Sequence, residues 1–146
     1  MNTTKMEHNY HILLIDDDRA FNFLNEKIIE FEKFATKISS YVDAREALEE
    51  LKSLQDTNPP GFPDFIFLDI NMPEMDGWEF MEQFKLLNEE VKAKCRVFIL
   101  TSSLNPIDIQ KSKTYTEVRG FASKPITTEI LNFIRSEKTN QFIILT

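Results

Sequence analysis

The chain has 146 residues, enough for one domain with a core of its own. Its 17 basic against 24 acidic residues leave a formal charge of −7, which argues against a surface that holds nucleic acid by neutralising phosphates. Cys95 is the only cysteine, no apolar run approaches the roughly 20 residues that span a bilayer, and MNTTKMEHNY is no secretion signal, so a cytoplasmic protein is expected.

In chain order, HILLI (11–15) predicts a first strand, and residues 19–34 place Phe23, Leu24, Ile28, Phe31 and Phe34 at helical spacings. TKISSY (36–41) predicts a second strand. Residues 43–54 open with Asp43 and Glu46 at capping-box spacing, then carry Ala47, Leu48, Leu51 and Leu54 of a second helix. TNPPGFP (57–63) is a loop before the third strand, DFIFL (64–68). Phe80, Met81, Phe84 and Leu87 mark a third helix over 76–89. RVFIL (96–100) is the fourth strand, and Asn105-Pro106 caps a fourth helix over 105–116. GFAS (120–123) is the fifth strand, and Ile130, Leu131 and Ile134 mark a fifth helix over 127–137.

This alternation predicts a doubly wound α/β sandwich, a five-stranded parallel sheet flanked by five helices. A flexible extension is expected over residues 1–9, the domain over 10–137 and a tail over 138–146. Within the tail, FIIL (142–145) either packs on its own domain or extends the last helix, or it is an extra strand for a partner or a second copy. His8 and His11 are read as structural.

Open parallel sheets bind ligands at the carboxyl ends of their strands. Those ends carry Asp16-Asp17-Asp18, Asp69, Thr101 and Lys124-Pro125. Clustered carboxylates repel one another, and a hard divalent cation such as Mg²⁺ resolves the conflict. A metal, a lysine and a hydroxyl around a further carboxylate describe a site for a transferring phosphoryl group, with Asp69 as candidate nucleophile. Singly, each residue has a plainer reading: Asp18 or Asp69 as a helix cap, Thr101 as a strand-end hydroxyl, Lys124 as a solvated lysine. The plain readings leave the coincidence of four strand ends unexplained.

LLIDDD (13–18), FIFLDINMPEMDGWEF (65–80), VFILTSS (97–103) and GFASKPI (120–126) together resemble the receiver domain of bacterial two-component response regulators, over roughly residues 10–136. The resemblance implies a flavodoxin-like fold with strand order 2-1-3-4-5. It implies Asp69 as phosphoacceptor, with Asp16, Asp17, Asp69 and the backbone carbonyl of Asn71 holding Mg²⁺ or Mn²⁺. Thr101 and Lys124 would contact the phosphoryl group, and Phe121 would be the switch aromatic. Phe121 stands where tyrosine is common, so packing alone reports its rotamer. The bond before Pro125 matches one that is usually cis in the family. Met72-Pro73 would fix the loop leaving Asp69, and Asp76-Gly77 would start the third helix. Ser102 and Ser103 beside Thr101 are candidates for tuning water access.

The function expected is that of a stand-alone, single-domain regulator, since the chain ends soon after the fifth helix. Its implied partners are a sensor histidine kinase or histidine phosphotransfer protein and a downstream protein target; a second copy is a further candidate, whereas nucleic acid and membrane are not. No enzymatic output is expected beyond assistance to its own phosphorylation and dephosphorylation. Two rivals stand beside this reading. One is a phosphatase of the haloacid dehalogenase type, on the D-x-D of Asp16 and Asp18; the other is a receiver-like interaction module that is never phosphorylated.

Overall fold

The computed structural model describes residues 9–102, 104–136 and 142–145. The expected extension, apart from Asn9, lies outside these residues, as do His8, Ser103, the tail before Phe142 and Thr146. Among the described residues there are six strands: β1 (Tyr10–Ile15), β2 (Ala35–Tyr41), β3 (Phe65–Leu68), β4 (Arg96–Thr101), β5 (Val118–Ser123) and β6 (Ile143–Leu145). They form one sheet in the order β2-β1-β3-β4-β5-β6, parallel throughout. The order across the first five is the expected one. The sixth corrects the five-strand expectation: residues of FIIL form a strand on the β5 edge of the sheet.

Among the described residues six α-helices rather than five pack on the sheet: α1 (Arg19–Phe31), α2 (Ala44–Thr57), α3 (Gly77–Phe84), α4 (Glu89–Lys94), α5 (Pro106–Ser112) and α6 (Thr128–Arg135). The helix expected over 76–89 ends at Phe84. Asn88 then caps a new helix, its side chain accepting from the Val91 N–H at 3.0 Å. Two acids in the first turn and two lysines in the last match the dipole of this short helix. The capping box stands at Asp76 and Glu79. At α2, Asp43 caps by accepting from the Arg45 N–H.

Two buried clusters sandwich the sheet. One holds α2, α3, α4 and α5 against Leu13, Ile15, Ile66, Leu68, Val97, Ile99 and Phe121. The other holds α1 and α6 against Ile12, Leu14, Phe65, Phe67, Phe98 and Leu100. Alternate residues of each strand thus face opposite helical layers, which is why these strands are apolar on both faces.

Helix α1 departs most from expectation. Phe23, Leu24 and Phe31, expected on its apolar stripe, are exposed, and the buried stripe is Asn22, Asn25 and Ile29. The two asparagines are buried because they hold backbone groups. Asn22 Nδ2 donates to the carbonyls of Asp16 (2.9 Å) and Tyr41 (3.4 Å), and Asn25 Oδ1 accepts from the Ile126 N–H at 2.9 Å. Such bonds make asparagine compatible with the interior.

His11 is structural, as its sequence position suggested. Its Nδ1 lies 3.1 Å from the Gly61 carbonyl and its Nε2 lies 3.2 Å from Ser39 Oγ. A carbonyl only accepts, so Nδ1 carries the proton and Nε2 of the neutral ring accepts from Ser39. Burial, opposed by the Gly61 bond, holds the imidazole below its ordinary pKa of 6.5. Below that pH the unfolded chain binds a proton that the folded chain does not. Stability from this group is therefore present above the unfolded value and lost as pH falls through it. The urea midpoint is expected to fall between about pH 7.5 and about pH 5.5, and to fall less in His11→Gln. Equal slopes in the two chains would refute the assignment.

Candidate functional site

Strand β3 hydrogen-bonds on both sides, to β1 and β4, so its end is held by the centre of the sheet. The chain then breaks from the ladder at Asp69, whose N–H still donates to the Ile15 carbonyl at 2.9 Å. At the neighbouring end of β1, the Asp16 N–H donates to the Tyr41 carbonyl at 3.1 Å. Both carboxylates are fixed by backbone bonds before any side-chain contact is made.

Asp16 and Asp69 are buried, at 5% and 4% exposure, while Asp17 beside them is exposed. All three offer carboxylate oxygens lying within 4.8 Å of one another. Lys124, arriving just past the end of β5, places its Nζ 2.7 Å from Asp16 Oδ2 and 3.4 Å from Asp69 Oδ2. Its main-chain N–H donates to the Thr101 carbonyl at 2.8 Å, and the Lys124–Pro125 peptide bond is cis, as the resemblance implied.

Burial pushes the Asp69 pKa up, and the Asp16 charge adds to it; the Asn71 N–H and Lys124 pull part of the way back. Burial alone would lower Lys124, but its bonds to Asp16 and Asp69 and their charges outweigh this and raise it. Three carboxylates and one ammonium leave an excess of negative charge in a small volume. An all-oxygen, anionic set half open to solvent through Asp17 fits a hard divalent cation that keeps some of its water.

Asp18 is the N-cap of α1, accepting from the Ala20 and Phe21 N–H groups, and its own N–H donates to Asp16 Oδ1 at 2.9 Å. That cap holds Asp16 in place and takes Asp18 out of the D-x-D reading. Thr101 is fully buried, and its Oγ1 accepts from Asn71 Nδ2 at 3.2 Å. The Asn71 N–H donates to Asp69 Oδ1 at 3.1 Å. Phe121 is buried in the cluster that packs α2, α3, α4 and α5 on the sheet, beside Ile99 of β4.

Three contributors escaped the sequence reading. The Phe21 ring lies under the Lys124 ammonium, 4.5 Å from ring centre to Nζ. Asn25 ties down the backbone just past Pro125. The Asn71 side chain, expected to matter only through its carbonyl, joins the β3 loop to β4. Asparagines at 22 and 25, three apart and so on one face of the helix, were the available signal for the second of these.

Gly77 packs against the same loop. A Cβ there would lie 2.6 Å from Ile70 Cα and 2.9 Å from the Asp69 carbonyl oxygen, both backbone atoms. Gly77→Ala is expected to destabilise the fold by about 1–3 kcal/mol in urea denaturation, because α3 must move off the loop. A loss within error would show that the loop yields freely.

The fold and this acidic strand edge define a receiver, and comparison with known proteins agrees. Residues 12–134 match the family model of the response regulator receiver domain, and the chain belongs to that family. A two-component response regulator from Cytophaga hutchinsonii has a similar structure, with TM-score 0.82 and 35% identity, covering 92% of this chain and 100% of that one. The probable methanogenesis regulatory protein FilR2 of Methanothrix harundinacea is 29% identical over 86% of this chain and 78% of its own length. Sporulation initiation phosphotransferase F of Bacillus subtilis is 28% identical over 78% of this chain and 82% of its own. The chain spans only 22% of a matching protein-glutamate methylesterase/protein-glutamine glutaminase from Treponema pallidum.

Proposed function

We propose that this receiver accepts a phosphoryl group on Asp69 from a phosphohistidine of a histidine kinase or phosphotransfer protein. The N–P bond of the donor breaks as a bond forms between phosphorus and an Asp69 carboxylate oxygen; the electron pair of the broken bond returns to the ring nitrogen, and the donor ring, protonated on its other nitrogen, leaves as neutral imidazole. The observation that carries the reading is the convergence of Asp16, Asp17 and Asp69 within 4.8 Å, with Lys124 Nζ on two of them. Asp16, Asp17, Asp69 and the Asn71 carbonyl would hold Mg²⁺, which when bound supplies positive charge to the phosphoryl oxygens.

The chain's own groups do the rest. Lys124, already bonded to Asp69 at 3.4 Å, transfers its bond to an incoming phosphoryl oxygen. Thr101 accepts from Asn71, so its O–H is left to donate to the same group. A hydrogen bond to a charged group contributes about 1.5–3 kcal/mol. Inverting a 1:99 conformational ratio needs roughly 5.5 kcal/mol, so Thr101 and Lys124 must act together. Phe121 would fill space that Thr101 vacates, passing the change to the surface around α5, β5 and α6.

No helix among the described residues is long and apolar enough to cross a membrane, and we place the protein with its kinase in the cytoplasm. The test is incubation with a small acyl-phosphate donor, with and without Mg²⁺, followed by mass spectrometry. Mg²⁺-dependent gain of one PO₃ on the peptide carrying Asp69 is expected. Failure to gain it would leave a receiver fold used as an unphosphorylated interaction module.

A further inference from the structure

Strand β6 joins the sheet by an unusual route. Strands β1 to β5 are linked by four connections: β1–α1–β2 steps toward one edge of the sheet with its helix on the α1 face. The other three step toward the opposite edge with helices α2, α3, α4 and α5 on the opposite face, which gives the same hand. The link from β5 through α6 to β6 also steps toward that opposite edge, yet α6 lies on the α1 face. Its hand is therefore the reverse of the other four. Parallel crossovers share one hand in about 98% of cases, because strand twist and helix sense pack together only that way.

The pairing itself is well made. Gly120, Phe121 and Ala122 of β5 are in parallel register with Ile143, Ile144 and Leu145. Ile143 and Leu145 pack on the α1–α6 cluster, Phe142 packs on the other, and the Lys113 ammonium lies 5.7 Å from the Phe142 ring centre. A side chain on Gly120 would obstruct the strand, since a Cβ there would lie 2.9 Å from Ile143 Cγ2 and 2.8 Å from Phe98 Cδ2. The edge of β5 is shaped for this strand, while the path to it within one chain has the disfavoured hand.

We propose that β6 is exchanged between two copies of the chain, each placing its Ile143–Leu145 on the β5 edge of the other. Every contact and the register are kept, whereas the crossover is replaced by a link between molecules to which the handedness rule does not apply. The exchange is reciprocal, as a two-fold dimer requires. It covers the edge of β5 beside Phe121 in both subunits and is independent of phosphorylation.

The register supplies the test. Ala122 and Leu145 are paired on adjacent strands and face the same cluster, so a disulfide between cysteines at these positions fits the ordinary spacing. The native thiol, Cys95, is buried and does not compete. The full chain carrying A122C and L145C, oxidised at micromolar concentration, is expected to run as a covalent dimer on a non-reducing denaturing gel. Bridging within single chains, or no bridging, would overturn the exchange. Light scattering of the unmodified chain provides a check free of substitutions: twice the 17.1 kDa chain mass is expected, reverting to one in Ile143→Asp. A single-chain mass for the unmodified protein would equally overturn it.

Discussion

Asp69→Asn is expected to lose Mg²⁺-dependent labelling by a phosphodonor, by more than about 100-fold, while keeping its fold. The amide has nearly the shape of the carboxyl group but no anionic oxygen to attack phosphorus. Its effect on stability is a second, independent signature. Burial and the Asp16 charge raise the Asp69 pKa above the ordinary 3.8, so the folded state holds this proton more tightly than the unfolded state. The contribution of Asp69 is then most favourable below the unfolded pKa and is lost as pH rises through the raised folded value. Relative to wild type, the asparagine variant should match or trail in acid and gain as pH rises to neutrality, read as a rising difference in urea midpoint. A variant that still takes up label, or whose relative stability falls with rising pH, would contradict the role given to Asp69.

The order of elements and the identity of the acidic edge were legible because both depend on residues close in sequence. Apolar runs such as FIFL make strands buried on both faces, and each run ends in the residue that the sheet then presents. Convergence of Asp16, Asp69, Thr101 and Lys124 followed from the rule that parallel strands expose their carboxyl ends on one edge. Less legible was anything decided by a partner element. Phe23, Leu24 and Phe31 have helical spacing, but the stripe of α1 that turns inward is the one whose Asn22 and Asn25 bond the carbonyls of Asp16, just past β1, and Tyr41 of β2 and the N–H of Ile126. The break before α4 was readable in Asn88-Glu89-Glu90, a cap followed by acids, and was masked by the apolar Leu86-Leu87 pair. The place of FIIL was not fixed by its residues, since four apolar residues fit a strand on any free edge and the β5 edge is identified only by the pairing of Gly120–Ala122 with Ile143–Leu145.

Lys124→Met should be the most destabilising single change at the site, and its response to Mg²⁺ separates charge from packing. Methionine keeps an unbranched chain of similar length over the Phe21 ring, so little packing is lost. What disappears is the ammonium, whose side chain is only 7% exposed and which lies 2.7 Å from Asp16 and 3.4 Å from Asp69. Two buried carboxylates are then left facing each other without compensation, a change that costs about 3–5 kcal/mol when one partner of a buried ion pair is removed. The loss should shrink as pH falls toward the raised pKa of Asp69, because protonation of that carboxylate removes the repulsion. Millimolar Mg²⁺ should restore more stability to Lys124→Met than it adds to wild type, since in the variant it meets carboxylates with no other cation. Labelling should nevertheless stay depressed by about 10²–10³, because a group aimed at the transferring phosphoryl oxygens is missing. Urea midpoints with and without Mg²⁺ decide the matter: a loss below about 1 kcal/mol, or an equal Mg²⁺ increment in both chains, would mean that Lys124 is not the charge that holds this cluster together.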